Sequence, residues 1–301
     1  MTAFVNRQNK STLFAKIFGS PENKAYTLEL YNAINGTHFA NPDDLILTTL
    51  ETVVYMEMHN DVSFMLDCTM NLYEHQSTPS DNLPLRFLWS LSQLYSAYVS
   101  GTDARLKVYR EKALLLPAPK CIVFYNGIRE APERKTMKLS DFFIGAKKGD
   151  VELIVHFVNI NKGNNEKLKK ACRPLQEYCW FVDTLRKKQS EGKSLEQAVD
   201  EAIDGMDNDW VLKEYLVRHR AGVKEIMFNE KSIEEVREMV DKRIDELESE
   251  VSRKDALLNE QAKNLSNAIA YVAKTLGISE KEAQERISSQ HSQSEDPIPK
   301  T

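Results

Sequence analysis

Between residues 22 and 35, "ENKAYTLELYNAIN", the apolar Tyr26, Leu30, Tyr31 and Ile34 recur at helical spacing, and Asn35-Gly36 closes the predicted helix. The pattern then changes period. "ILTTLETVVYMEM" (46–58), "VSFML" (62–66) and "MNLYEHQ" (70–76) are short, β-branched or aromatic-rich, and parted by "HND" and "DCT". Such runs predict three consecutive antiparallel strands. Pro79, Ser80 and Asp81 open a helix with Asp81 as its N-cap, and Leu83, Leu85, Leu88, Leu91, Leu94 and Tyr95 supply its apolar flank. "PKCIVFYNG" (119–127) is an almost unbroken apolar run ended by Asn-Gly, the pattern of a central strand covered on both faces. "VELIVHFVNIN" (151–161) predicts a further strand. Helix, three strands, helix and two strands make an α/β domain with a mixed sheet over residues 10–165.

From 166 onward the pattern is helical. "LKKACRPLQEYCWFVDTLRKKQ" pauses at Pro174, and "SLEQAVDEAIDGM" opens with a Ser194–Gln197 capping box. Phe181, Leu185, Val199, Ile203, Trp210, Leu212 and Leu216 read as the core of a helical subdomain, residues 166–230, packed on the α/β core. Over 231–275, Val240, Ile244, Leu247, Val251, Leu258, Leu265, Ala268 and Val272 follow a 4-3 spacing, with Lys254 and Gln261 interrupting one seam position. Sustained a/d spacing predicts a coiled coil that pairs two copies into a homodimer. The competing reading is a long helix folded back on its own domain. Residues 278–288 predict a short helix capped by Ser279 and Glu282, and the polar, Ser/Pro-rich 289–301 predicts a disordered tail.

Charge refines the picture. The net charge of −5 argues against a protein that coats nucleic acid along its whole surface, but the charge is segregated. Residues 101–193 hold 20 Lys/Arg against 11 Asp/Glu, a net +9, while the rest holds 20 against 34, a net −14. A basic middle section can meet a polyanion, or can simply be a solvated face. Cys68, Cys121, Cys172 and Cys179 are scattered without metal-ligand spacing, and three lie in apolar stretches, so buried thiols in a reducing compartment are expected. "MTAFVNRQNKSTLFAKIFG" lacks a signal-peptide pattern, and no apolar run approaches the 18 residues of a membrane span. The expectation is a cytoplasmic protein without a membrane segment.

The candidate chemistry lies in "NDVSFMLDCTMNLYEHQST" (60–78). Strands 62–67 and 70–76, with the turn between Cys68 and Thr69, set Asp61 opposite Gln76 and Ser63 opposite Glu74. Cross-strand partners share a sheet face, so all four side chains are expected on one side. Two carboxylates gathered there need a cation, a shared proton or water. With oxygen ligands only, the natural ion is Mg²⁺ or Mn²⁺, held by Asp61 and Glu74. Such an ion can bind a phosphodiester oxygen and activate water, and Gln76 can orient that water without taking its proton. Stray acidic residues at exposed strand ends remain the alternative.

The runs "NDVSF" and "NLYEHQSTPSDNLPLR", with "FYNG" at 124–127 and "KLSDFF" at 138–143, are together similar to the recombination-promoting nuclease family, also known as PD-(D/E)xK nuclease family transposases. The resemblance covers roughly residues 10–230, including "LQEYCWFVDTLRK" and "RAGVKEIM". It implies a restriction-endonuclease-like core. It also implies a metal-dependent endonuclease that hydrolyses DNA phosphodiester bonds in recombination or mobile-element chemistry. In that superfamily one strand of a hairpin starts with Asp and the next ends with an acidic-x-Lys triad. The matching positions here are Asp61, Glu74 and Gln76 as the catalytic set. Glutamine replaces the usual lysine, as in the recombination-promoting branch, and removes a charge that would stabilise a pentacoordinate phosphorus.

Arg86, in "LPLR", is the nearest candidate for a phosphate contact; its other reading is an arginine paired with a carboxylate. Tyr125 and Asn126 either border the site or serve only as strand end and turn. Pro42-Asp43 reads as a turn. Lys147, Lys148, Lys162, Lys167, Lys169, Lys170, Arg173, Arg186, Lys187 and Lys188 form the basic set that could track a nucleic-acid backbone, without reading its sequence. Two alternatives to the endonuclease stand beside it: a nuclease-like fold that no longer cuts and acts as a binding or self-associating module, and an RNase.

Overall fold

A computed structural model describes residues 12–48, 61–100, 108–145 and 149–291. Helices α1 (Leu13–Gly19) and α2 (Lys24–Asn35) precede the sheet. Thr12 caps α1 by accepting from the Ala15 N–H, and Gly36, at φ 65°, ends α2 in the left-handed conformation that a side chain disfavours. Strands β1 (Ile46–Leu47), β2 (Val62–Leu66) and β3 (Thr69–Gln76) follow, then α3 (Leu83–Ser100), β4 (Ala118–Tyr125), β5 (Arg134–Lys138) and β6 (Ile154–Asn159). The sheet order is β1-β2-β3-β4-β6-β5. β1, β2 and β3 are antiparallel, β3, β4 and β6 are parallel, and β5 returns antiparallel on the edge. The fold is therefore α/β with a six-stranded mixed sheet. Most of the first predicted strand, residues 49–58, lies outside the described residues.

The two sheet faces bury different partners. On one, Met70, Leu72, Cys121, Val123, Tyr125, Val155 and Phe157 meet Leu83, Phe87, Leu91 and Leu94 of α3. On the other, Phe64, Tyr73, Ile122, Phe124 and Val158 meet α1, α2 and the later helices. Those are α4 (Glu166–Ala171), α5 (Arg173–Ser190), α6 (Leu195–Asp204) and α7 (Val211–Arg218). Leu175, Phe181, Val199, Ile203, Leu212 and Leu216 belong to the same buried cluster as Phe14 and Phe64, so these helices share the core of the sheet. Pro174 sits in the first turn of α5, where its missing N–H costs nothing. The Ser194–Gln197 capping box forms as expected.

Two local expectations change. α3 begins at Leu83, too late for Asp81 to cap it; Asp81 instead faces the Lys135 ammonium at 3.2 Å. β5, "RKTMK", has only Met137 buried, and its flanking charges belong to an exposed edge strand. Pro42–Asp44 forms a single 3-10 turn opened by Asn41.

Buried polar groups hold the helices in register. Glu177 is 2% exposed, and its carboxylate accepts from the Leu212 N–H (2.8 Å), the Val211 N–H (3.2 Å) and Arg173 Nε (2.8 Å). It thereby caps the first turn of α7 from a neighbouring helix. Glu177→Gln is expected to lower stability by roughly 1–2 kcal/mol, because one acceptor oxygen becomes a donor facing donors. Urea unfolding reads this directly.

Residues through Glu234 form one compact unit and those from Glu235 another. The second contains most of α8 (Arg220–Leu276) and α9 (Glu280–His291). The Ser279 Oγ accepts from the Glu282 N–H while the Glu282 carboxylate accepts from the Ser279 N–H, so the predicted box is present. α9 runs to His291, past the residue 288 limit expected from sequence; residues 292–301 lie outside the described residues. No helix among the described residues is long and apolar enough to cross a membrane.

Candidate active site at the end of the hairpin

The β2–β3 turn centres between Asp67 and Cys68, one residue earlier than the sequence suggests. Both have positive φ, 47° and 57°, the two-residue turn whose twist suits a hairpin. Leu66 pairs with Thr69 and Val62 with Tyr73. Continuing that register by one residue brings Asp61 opposite Glu74, correcting the expected pairing with Gln76; Ser63 pairs with Leu72, not Glu74. The two-residue shift leaves face assignments intact. Glu74 and Gln76 lie on the α3 side with Leu72, while Tyr73 and His75 face the other helices.

Asp61 turns its carboxylate onto the strand backbone, where Oδ2 accepts from the His75 N–H at 2.6 Å. Glu74 is 7% exposed. Its Oε1 accepts from the Gln76 amide Nε2 at 3.3 Å and from Arg86 Nη2 in a short ion pair. Arg86 reaches it from the first turn of α3, which Leu83 and Phe87 anchor on the sheet. Of its two sequence readings, the carboxylate pair is the one observed. Gln76 Oε1 is buried with no hydrogen-bond partner among the described residues.

These donors fit a hard divalent ion in type: carboxylate and amide oxygens, with His75 turned to the opposite face. Among the described residues no group of three or more His, Cys, Asp or Glu is poised around one point. Magnesium does not need one, since it is commonly held by one or two carboxylates and retains several waters.

Behind the strand, His75 stacks on Phe14 with ring centroids 5.3 Å apart, and its Nε2 lies 3.0 Å from the Tyr178 hydroxyl. Burial, and then the nearby Arg186 charge, push its pKa down to about 3. His75 is therefore neutral at pH 7. Arg186 donates to Asn126 Oδ1 (2.5 Å) and to the Asn126 carbonyl (2.6 Å), while the Asn126 N–H bonds the Gln76 carbonyl (2.9 Å). Tyr125 is fully buried, stacks on Phe157 and donates to the Arg129 carbonyl. Both residues thus brace the strand ends. Gly127 is needed for close approach: a Cβ there would lie 1.8 Å from the Ser77 carbonyl oxygen. Sequence periodicity carries no sign of Tyr178 or Arg186 at this site, because each joins it from a distant helix.

Part of the basic set is engaged within the protein. Lys169 is buried and bonds Glu166 and the Asn161 carbonyl; Arg173 pairs with Glu177 and Asp209; Lys188 pairs with Glu201. Lys162, Lys167, Lys170 and Lys187 remain exposed, and Lys147 and Lys148 lie outside the described residues. Cys121, Cys172 and Cys179 are buried as expected, with burial raising each thiol pKa, to about 12 for Cys121 and Cys179. Cys68 is exposed.

A scan against protein-family models finds no match. Searches of curated proteins and of solved structures find none either. Any family assignment therefore rests on the motifs themselves.

Proposed function

We propose that the chain is a divalent-metal-dependent endonuclease acting on DNA, with Asp61 and Glu74 as metal ligands and Gln76 beside them. The observation that carries this reading is the hairpin register, which brings Asp61 opposite Glu74 two residues before Gln76. The succession of helix, antiparallel meander, helix and a strand parallel to the third is compatible with a PD-(D/E)xK core. Bound Mg²⁺ would supply electrostatic stabilisation of the phosphodiester oxygens and a more acidic water. Asp61 and Glu74 would hold and orient it. Gln76 would position a water through its amide. Arg86, already beside Glu74, would offer the positive charge that lysine provides elsewhere in the superfamily.

A second reading has its own support. The Arg86–Glu74 pair neutralises one candidate ligand, and Gln76 carries no charge, as suits a nuclease fold retained for binding alone. Plasmid cleavage with Mg²⁺ or Mn²⁺, alongside calorimetric Mn²⁺ titration, separates them. The endonuclease reading expects metal-dependent cleavage and saturable Mn²⁺ binding, both lost in Asp61→Ala. A wild-type protein that neither cuts nor binds Mn²⁺ overturns the endonuclease reading and favours the second. Parallel cleavage of DNA and RNA decides the substrate, because only RNA presents a 2′-hydroxyl.

A further inference from the structure

In the second unit, Val240, Ile244, Leu247, Val251, Leu258 and Leu265 form a stripe along α8, each exposing between 44% and 61% of its surface. The stripe has a/d geometry: Ile244, Val251, Leu258, Leu265 and Val272 at a, and Val240, Leu247, Lys254, Gln261 and Ala268 at d. Near its far end, Ala273 of α8 and Ala283 of α9 are buried. We propose that this stripe is the seam of a parallel, in-register, two-stranded coiled coil formed with a second copy of the chain.

The polar positions choose both occupant and orientation. Lys254 and Gln261 both fall at d, whereas every a position from Ile244 to Val272 is apolar. In an antiparallel pair, a layers face d layers, so each Lys254 and each Gln261 would press against an apolar side chain, in four layers. A parallel pair in register confines the same groups to two layers, where like faces like. Slipping one heptad spreads them over three. Unmatched polar groups are costly to desolvate, so the in-register arrangement wins.

Flanking charges agree. In the parallel register Arg243, at g, faces Glu248, at e, of the second copy. Glu250 and Asp255 of opposing helices would repel, but Lys254 lies between them and already holds Glu250 at 2.8 Å. An antiparallel pair loses the Arg243–Glu248 contact. The two-stranded state follows from β-branched Ile244 and Val251 at a with Leu247 at d, and it leaves the Lys254 ammonium able to reach water.

The test uses the full chain and does not depend on cleavage. Sedimentation should give twice the chain mass, and Leu258→Asp should give the single-chain mass with unchanged helical signal from the first unit. In a Cys68→Ser background, which removes the exposed native thiol, Leu247→Cys should close a covalent dimer under mild oxidation, because position 247 meets itself only in the parallel register. An antiparallel pair would set 247 against 265 and give no such bond. Lys254→Leu should tighten the dimer at least about tenfold and allow a Leu247→Cys/Leu265→Cys cross-link that the Lys254 parent lacks. A single-chain mass at all concentrations, a three-chain mass, or a dimer that fails to oxidise at 247 would each overturn the proposal.

Discussion

In Glu74→Gln, DNA cleavage is expected to fall at least about 100-fold while stability falls by only about 1–2 kcal/mol, because even outer-shell partners of a metal typically contribute 10–100-fold and this carboxylate is proposed as a direct ligand. The substitution is chosen for what it preserves. Glutamine keeps the shape of the buried side chain and an oxygen able to accept from Arg86 and from the Gln76 amide. It removes the charge and turns the second carboxylate oxygen into an NH2 donor. Arg86 is one-third exposed, so it stays solvated when its counter-charge goes. Arg86→Ala then separates two roles. If Arg86 serves a phosphate, cleavage drops while Mn²⁺ affinity holds or rises. If it merely clamps Glu74, its removal strengthens Mn²⁺ binding without any loss of cleavage. Glu74→Gln cleaving at the wild-type rate would remove the carboxylate from the reaction.

What the sequence made legible was local. The Ser194–Gln197 and Ser279–Glu282 boxes, the Gly36 stop and the alternation of faces along β3 each depend on residues a few positions apart, and each appears where expected. The hairpin shows how far such reasoning reaches. Asp67-Cys68 has no glycine to announce a turn with two positive φ values, so the turn was displaced by one residue. The displacement changed every partner yet not the faces, since the pairing moved by two. Face membership of Glu74 and Gln76 was thus readable, while the Asp61–Glu74 juxtaposition was not. β5 carries no strand signal in the sequence, because its one buried residue, Met137, gives no alternation. Arg86 on Glu74 and Arg186 on Asn126 depend on how helices settle over the sheet, across 12 and 60 residues of chain, and no local pattern encodes that.

Acid should loosen the molecule through His75. Its folded pKa, about 3, lies below its ordinary value of 6.5, because burial against Phe14 and Tyr178 disfavours the imidazolium and Arg186 adds a like charge. The unfolded chain takes up a proton below pH 6.5 that the folded protein refuses. Stability is therefore full above that value and is lost as pH falls toward 3. The loss from this group alone is about 2 kcal/mol between pH 7 and pH 5, and about 3 kcal/mol by pH 4. Urea unfolding at these three pH values should show it. His75→Gln has no proton to take up, so its stability should fall less steeply by those same amounts, whatever its value at pH 7. Parallel curves for the two proteins would mean that the imidazole is charged in the fold. The consequence reaches the hairpin, because the His75 N–H is what Asp61 holds. A charged ring pushed out from between Phe14 and Tyr178 would pull that strand end, and Glu74 and Gln76 on either side of it, away from the carboxylate opposite.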